Sequence, residues 1–129
     1  MDMATFKSTL DTYGRDNLIE IIFDNARTWL IKEPLYSDDP VEAMRGIRKR
    51  DENKNLIYSS FDDKVRIDEA NECIVKTEYL PAVDYETSQK VRWDIVTNVE
   101  HIQGLLFLPK DASDAEKQYI LDHWDHSIS

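Results

Sequence analysis

The 129-residue chain carries 26 acidic residues against 16 lysines and arginines, which gives a formal net charge of −10 at pH 7. Such a charge repels nucleic-acid backbones and anionic membranes, so we expect neither as a direct partner. An apolar content of 41% with aromatic residues throughout argues against a disordered chain. The length suits a single domain that spans residues 1–129.

The cysteine content and the N-terminal sequence indicate where the protein resides. Cys73 is the only cysteine, so no internal disulfide can form, and its apolar surroundings predict a buried, inert thiol. The first ten residues lack the apolar segment of a signal peptide, and no apolar run is long enough to span a membrane. We therefore expect a cytoplasmic protein.

Two helices are predicted at the start of the chain. Apolar residues at helical spacing predict the first helix from Met3 to Tyr13, with Gly14 at its end. The second helix is predicted from a cap at Asp16 to about Leu30, because its apolar residues form a continuous stripe. The stripe consists of Leu18, Ile19, Ile22, Phe23, Ala26, Trp29 and Leu30.

A third helix has the clearest local start signal in the chain. Asp39 stands at the cap position, Pro40 at the first helical position, and Glu42 three residues after the cap. We predict that this helix continues to about Arg50, where basic residues complement its dipole. They are Arg45, Arg48, Lys49 and Arg50. A phosphate site or a site for a carboxylate-rich partner is the alternative use of this cluster.

From Asn53 onward the pattern changes to short β-type runs at residues 56–61, 64–67 and 73–80. The alternation of Val91, Trp93 and Ile95 with charged residues predicts an antiparallel strand that is covered on one face. Residues 105–108 predict one more strand, which is buried and follows a bulge or kink at Gly104.

The end of the chain predicts a last helix, because Ser113 and Glu116 can form a capping box. Helices and strands therefore occur in separate runs along the chain. This order predicts an α+β fold with N-terminal helices, an antiparallel sheet of four to five strands, and a C-terminal helix.

The C-terminal tail holds two of the three histidines. His123 and His126, together with Asp122, are the candidate ligands for a metal such as zinc. A third strong ligand would have to come from elsewhere, for example His101. Histidines at a helix end also stabilise the helix dipole, and we favour that interpretation. We predict no cofactor.

The negative charge is concentrated in the second part of the chain. Residues 1–50 carry eight basic and nine acidic residues, whereas residues 51–129 carry eight basic and seventeen acidic residues. We predict that this excess forms a continuous acidic surface that binds a basic protein partner. The predicted contact residues are Asp62, Asp63, Asp68, Glu69 and Glu72, with Tyr79 and Trp93 as aromatic anchors.

Three classes of function follow from these features. The first is a non-enzymatic acidic binding module of the inhibitor, immunity or DNA-mimic type. The second is a small structural or assembly subunit of a virus-like or oligomeric particle, which predicts self-association and an exposed apolar patch. The third is an enzyme or metal-binding protein, which needs the histidines to meet carboxylates in a pocket. We favour the first, because the charge asymmetry is the only global feature of the sequence that folding alone does not explain.

Overall fold

A computed structural model describes the backbone of residues 1–83 and 90–124, and the side chains of residues 1–78 and 92–124. These residues form an α+β structure with four α-helices and six strands. In chain order they are α1 (Met3–Tyr13), β1 (Leu18–Phe23), β2 (Thr28–Leu30), α2 (Pro40–Met44), α3 (Phe61–Lys64), β3 (Val65–Asp68), β4 (Cys73–Val83), β5 (Lys90–Asn98), β6 (Ile102–Phe107) and α4 (Asp114–His123).

The strands form two antiparallel sheets of three strands each, in the orders β2-β1-β6 and β3-β4-β5. The α+β class is therefore confirmed, but the predicted single sheet of four to five strands is divided into two. The division arises because residues that the sequence predicts as a helix instead form β1 and β2 of a separate sheet. Within the described ranges, no helix is both long and apolar enough to cross a membrane.

The predicted helix from Asp16 to Leu30 is wrong, because this segment forms the hairpin of β1 and β2. β1 is the central strand of its sheet, and five of its six residues are buried. A strand that is covered on both faces is apolar nearly throughout, which imitates the wide stripe of a buried helix. Ala26 reverses the chain with a φ of 66°.

Helix α1 begins and ends where the sequence predicts. The carboxylate of Asp2 accepts a hydrogen bond of 2.7 Å from the amide of Thr5, and the amide of Gly14 donates to the carbonyl of Leu10. The buried face of α1 packs on a core cluster that contains residues of both sheets. That cluster includes Met3, Phe6, Leu10, Ile21, Phe61, Ile74, Val99 and Ile102.

Residues 34–58 lie outside the two sheets, and we call this segment the arm. Three isolated antiparallel bridges join its segments at residues 34–36, 48–50 and 56–58, and the first of them joins Pro34 to Tyr58. Helix α2 lies in the arm and ends at Met44, not near Arg50 as predicted. Gly46 follows with a φ of 79°, a left-handed conformation that interrupts the helix.

The base of the arm is fixed by Ser59, which is 1% exposed. Its hydroxyl donates a 2.6 Å hydrogen bond to the carbonyl of Ile31 and accepts one of 3.0 Å from the amide of Glu33. The predicted strand at residues 56–61 is therefore an irregular return segment that ends where α3 begins.

Candidate functional site

The predicted acidic residues fall into two separate groups. Asp62 and Asp63 lie in the first turn of α3. Asp62 forms a 2.9 Å ion pair with Arg15, and the carboxylate of Asp63 accepts a 3.0 Å hydrogen bond from the amide of Ser60. Both carboxylates therefore have structural partners within the chain.

Asp68, Glu69 and Glu72 lie around the turn between β3 and β4. Glu69 forms an ion pair with Lys7 of α1, and the backbone carbonyl of Glu72 accepts a 3.0 Å hydrogen bond from the amide of Val99. The turn therefore lies against the start of the segment that follows β5.

The same region gathers three further carboxylates, which the sequence interpretation did not single out. They belong to Asp2, Asp24 and Glu100, and they bring the set at this part of the molecule to six. We call this set the acidic end: Asp2, Asp24, Asp68, Glu69, Glu72 and Glu100.

The N-terminus and His101 connect these carboxylates. The ammonium group of Met1 donates to the carbonyl of Glu100 at 3.3 Å and to that of Ile102 at 3.4 Å. His101 Nδ1 lies 3.1 Å from the Asp24 carboxylate, and its Nε2 lies 3.5 Å from that of Glu100. Of the six carboxylates, those of Asp24 and Glu100 therefore face one imidazole, and that of Glu69 forms an ion pair with Lys7.

A groove of about 300 Å³ opens between the two sheets beside the acidic end. Phe23, Trp29 and Ile95 supply its apolar lining, and the rings of Phe23 and Trp29 meet edge to face at 4.9 Å. Asp24 and His101 belong both to the groove and to the region of the acidic end. The remaining lining residues are Asn25, Arg27 and Thr97. The groove thus combines an apolar lining with one carboxylate, Asp24, and one guanidinium, Arg27.

Two largely buried lysines hold the walls of the groove in place. Lys76, which is 8% exposed, forms a 2.9 Å ion pair with Glu78 and lies 5.7 Å from the ring of Trp29. Lys64 donates to the carbonyl of Leu30, in the other sheet. Burial lowers the pKa of Lys64, and its hydrogen bond with Glu33 partly offsets that effect. The contact of Lys76 with Trp29 joins β4 to β2 and so crosses between the sheets, whereas Lys64 ties α3 to β2.

Of the two predicted aromatic anchors, the structure describes the side chain of Trp93, which lies away from the acidic end. The side chain of Tyr79 lies outside the described part of the chain. Trp93 is 42% exposed and faces Glu78 across the β4–β5 pair. Trp93 lies five residues before Asn98 on β5. Asn98 pairs with Cys73, which directly follows the turn between β3 and β4. That spacing amounts to about 17 Å of extended chain.

Cys73 is partly exposed, in contrast to the buried thiol predicted from its apolar neighbours. Its thiol donates to the carbonyl of Asn71 at 3.1 Å, in the turn between β3 and β4. The prediction failed because Cys73 begins its strand, whereas the apolar part of the run, Ile74 and Val75, is buried.

The candidate metal ligands of the tail have other contacts. Asp122 accepts hydrogen bonds from the hydroxyl of Tyr58 at 2.7 Å and from the amide of Gln118 at 3.0 Å. The His123 ring stacks on Tyr119 at 4.0 Å. His126 lies outside the described residues. Among residues 1–83 and 90–124, no group of three metal-ligating side chains converges.

We expect the contact between Tyr58 and Asp122 to make stability sensitive to alkaline pH. Burial raises the pKa of Tyr58 above its ordinary value of 10.0, and the hydrogen bond to Asp122 raises it further. The neutral phenol is thus favoured in the folded state. Its contribution is complete below pH 10.0 and is lost as the pH rises above that value.

Urea unfolding of the wild type and of Tyr58→Phe at about pH 8 and pH 11 measures this effect. The stability advantage of the wild type over the variant is expected to shrink at the higher pH. Tyr119→Phe, at a residue that is 64% exposed, serves as the control and should show no such change. A constant difference between wild type and Tyr58→Phe would contradict the assignment.

Comparison with protein-family models, with curated proteins and with solved structures gives no match for this chain. The functional conclusion therefore depends on the geometry of the acidic end and the groove.

Proposed function

We propose that this chain is a non-enzymatic protein-binding module whose acidic end docks a basic partner. The observation that carries the proposal is that four separate segments with acidic residues meet around residues 99–102, where Asp24 also lines the groove. These segments are the start of α1, the end of β1, the β3–β4 turn and the residues after β5. Chain connectivity alone does not require them to meet.

Electrostatics supports a cationic partner. Gathered carboxylates repel one another, and an arriving group of lysines and arginines relieves that repulsion. Complementary charge raises association rates toward about 10⁸–10⁹ M⁻¹s⁻¹ at low salt, from about 10⁵–10⁶ M⁻¹s⁻¹ for neutral surfaces. The adjacent groove offers an apolar lining for one side chain of the partner. Proteins that bind nucleic acids present such basic surfaces, and this favours an inhibitor or immunity type of role.

The environment of His101 supports binding over catalysis. Both of its ring nitrogens face carboxylates, at 3.1 Å and 3.5 Å. An acid–base histidine needs one nitrogen within reach of the reacting group, with the other held by an orienting partner. At His101, carboxylates of the same chain face both nitrogens, so neither nitrogen is left open to a reacting group.

Stopped-flow measurement with a fluorescent arginine–leucine peptide tests this function. The probed variant combines Glu69→Gln, Glu72→Gln and Glu100→Gln, all at exposed positions. We expect its association rate at low salt to fall by about tenfold or more, and its salt dependence to weaken.

The matched control combines Asp111→Asn, Asp114→Asn and Glu116→Gln, which are exposed residues before and within the first turn of α4. It removes the same amount of charge away from the acidic end, so it should slow association much less. Equal slowing by the two triple variants would mean that overall charge, and not the acidic end, attracts the peptide. Absence of binding by the wild type would refute the proposal.

A further inference from the structure

Strand β5 is the longest of the strands that lie at the edge of a sheet. It has nine residues, whereas the other edge strands, β2, β3 and β6, have three, four and six. Within the described residues, β4 is the only strand that pairs with β5, so one edge of β5 faces no other strand. A long open edge of this kind is a template for pairing with another chain.

The β4–β5 pair also extends past the third strand of its sheet. β3 pairs with β4 only at residues 73–76, whereas β4 and β5 are still paired at Val83 and Lys90. Beyond Lys76 the sheet is therefore a ribbon of two strands, and such ribbons are marginally stable in water. A third strand on the open edge of β5 would complete the sheet over this stretch.

The described side chains of β5 include groups that can bind a further strand. Trp93 is 42% exposed, and Arg92 is exposed with no ion-pair partner among the described residues. Asp94 lies two residues from Arg92 and therefore on the same face. Its two oxygens each accept one hydrogen bond, from Thr77 at 2.9 Å and from Arg66 at 3.3 Å. A carboxylate has about four acceptor positions, so Asp94 can accept from one more guanidinium.

The order Arg92, Trp93, Asp94 is self-complementary in an antiparallel pair. With a two-fold axis beside Trp93, this residue lies opposite its own copy, and Arg92 of each strand lies opposite Asp94 of the other. Opposite charges directly across a strand pair stabilise it, and like charges destabilise it. An axis at Arg92 or at Asp94 would place two like charges opposite each other, so the charge pattern selects the axis at Trp93.

We propose that β5 pairs antiparallel with β5 of a second copy of this chain, about a two-fold axis at Trp93. The two β3-β4-β5 sheets then form one continuous six-stranded sheet, in which the open edges of both β5 strands are paired. Two Arg92–Asp94 ion pairs lie on one face beside the axis, and the two Trp93 rings lie on the other face. The self-complementary charge pattern is the argument for a second copy, because pairing with an unrelated strand does not require it.

This dimer leaves the acidic end open and goes beyond the proposed function. Asn98 lies five residues along β5 from the axis and pairs with Cys73, which directly follows the β3–β4 turn. The two turns therefore lie on opposite sides of the axis, roughly 34 Å apart along the strands. At about 0.15 M salt the screening length is about 8 Å, so the two acidic ends repel each other only weakly.

Sedimentation velocity over a wide range of protein concentration tests the inference. The wild type should change from monomer to dimer as its concentration rises. Arg92→Asp places two carboxylates opposite each other in both pairs, and Asp94→Arg places two guanidinium groups there. Each variant should therefore dimerise at least tenfold more weakly. An equimolar mixture of the two should form a heterodimer, because every cross-strand pair then joins opposite charges.

The mixture also shows that each variant is folded, since each one binds its complement. Arg45→Asp and Asp111→Arg are the matched controls, which make the same charge changes at exposed positions outside β5 and should dimerise like the wild type. A wild type that stays monomeric at every concentration overturns the inference. Dimerisation that survives either charge reversal, or a mixture that stays monomeric, also overturns it.

Disulfide crosslinking tests the register. Residues directly opposite in an antiparallel pair have Cα atoms about 4.5–5.5 Å apart, which a disulfide can span. In a Cys73→Ser background, Trp93→Cys should form a covalent dimer with oxidised glutathione. Val96→Cys should not, because its two copies are about 20 Å apart in this register. Crosslinking at position 96, or its absence at position 93, overturns the proposed axis. The peptide experiment decides the proposed function separately in each of these cases.

Discussion

Replacing Glu20 with methionine is expected to raise the free energy of unfolding by about 1–3 kcal/mol. Glu20 is 2% exposed, and within the described part of the structure its buried Oε1 accepts no hydrogen bond. Its cross-strand neighbours are Leu30 and Leu106. Methionine keeps the length and flexibility of the side chain and removes the polar group from these apolar surroundings.

Urea denaturation of Glu20→Met and the wild type measures the gain as a higher midpoint with an unchanged slope. Glu20→Gln is the matched variant that keeps a polar end group, and it should gain much less. Glu72→Met, at an exposed glutamate, controls for the general effect of methionine and should stay within about 0.5 kcal/mol of the wild type. A destabilised Glu20→Met protein would show that the carboxylate has a favourable interaction.

Truncating Phe61 to alanine is expected to lower the free energy of unfolding by about 3–5 kcal/mol. Phe61 is 1% exposed and starts α3, directly after the return of the arm and before β3. Its ring lies 6.2 Å from that of Phe6 and 5.3 Å from the guanidinium carbon of Arg15. The substitution therefore leaves a cavity where α1 and the second sheet meet, and it removes a support of Arg15.

Chemical denaturation of Phe61→Ala gives the loss directly, and Phe61→Leu should show a smaller loss in the same experiment because more of the volume is retained. Tyr119→Ala, at a residue that is 64% exposed, is the surface control and should change stability by about 0.5 kcal/mol or less. If Phe61→Ala matched this control, the packing role assigned to Phe61 would be incorrect.

Helix caps are the features that the sequence predicts best. The Asp39 carboxylate caps α2 through a 2.9 Å hydrogen bond from the amide of Val41, and the Ser113 hydroxyl caps α4 through a 3.1 Å hydrogen bond from the amide of Glu116. A cap requires only a few neighbouring residues, so the sequence itself contains the whole interaction. The end of α2 was predicted less well, because Gly46 interrupts a pattern that otherwise continues.

The β1–β2 hairpin could not be predicted from apolar spacing. β1, the central strand of its sheet, is covered on both faces, and its pairing with β6 contains a register shift between Leu18 and Glu20. Such a shift removes the simple alternation that identifies a strand. The turn also lacks glycine and depends on Ala26 in a positive-φ conformation, so the usual hairpin signal is missing.

The candidate site depends on contacts between residues that are distant in sequence. The uneven charge of the chain indicated Asp68, Glu69 and Glu72, but Asp2 and Asp24 lie in the half that is nearly neutral. They approach Glu100 only because the start of α1 and the end of β1 contact residues 100–102, and no local pattern contains that information.

The bridge between Pro34 and Tyr58 has a further consequence. The arm leaves and rejoins the rest of the molecule at neighbouring positions, and the hydrogen bonds of Ser59 fix the point of return. Changes of length or sequence beyond that point leave the register of both sheets unaltered. Because Leu56 and Tyr58 contact α4, the part of the arm farther from its base is where we expect the chain to accept insertions at the least cost in stability.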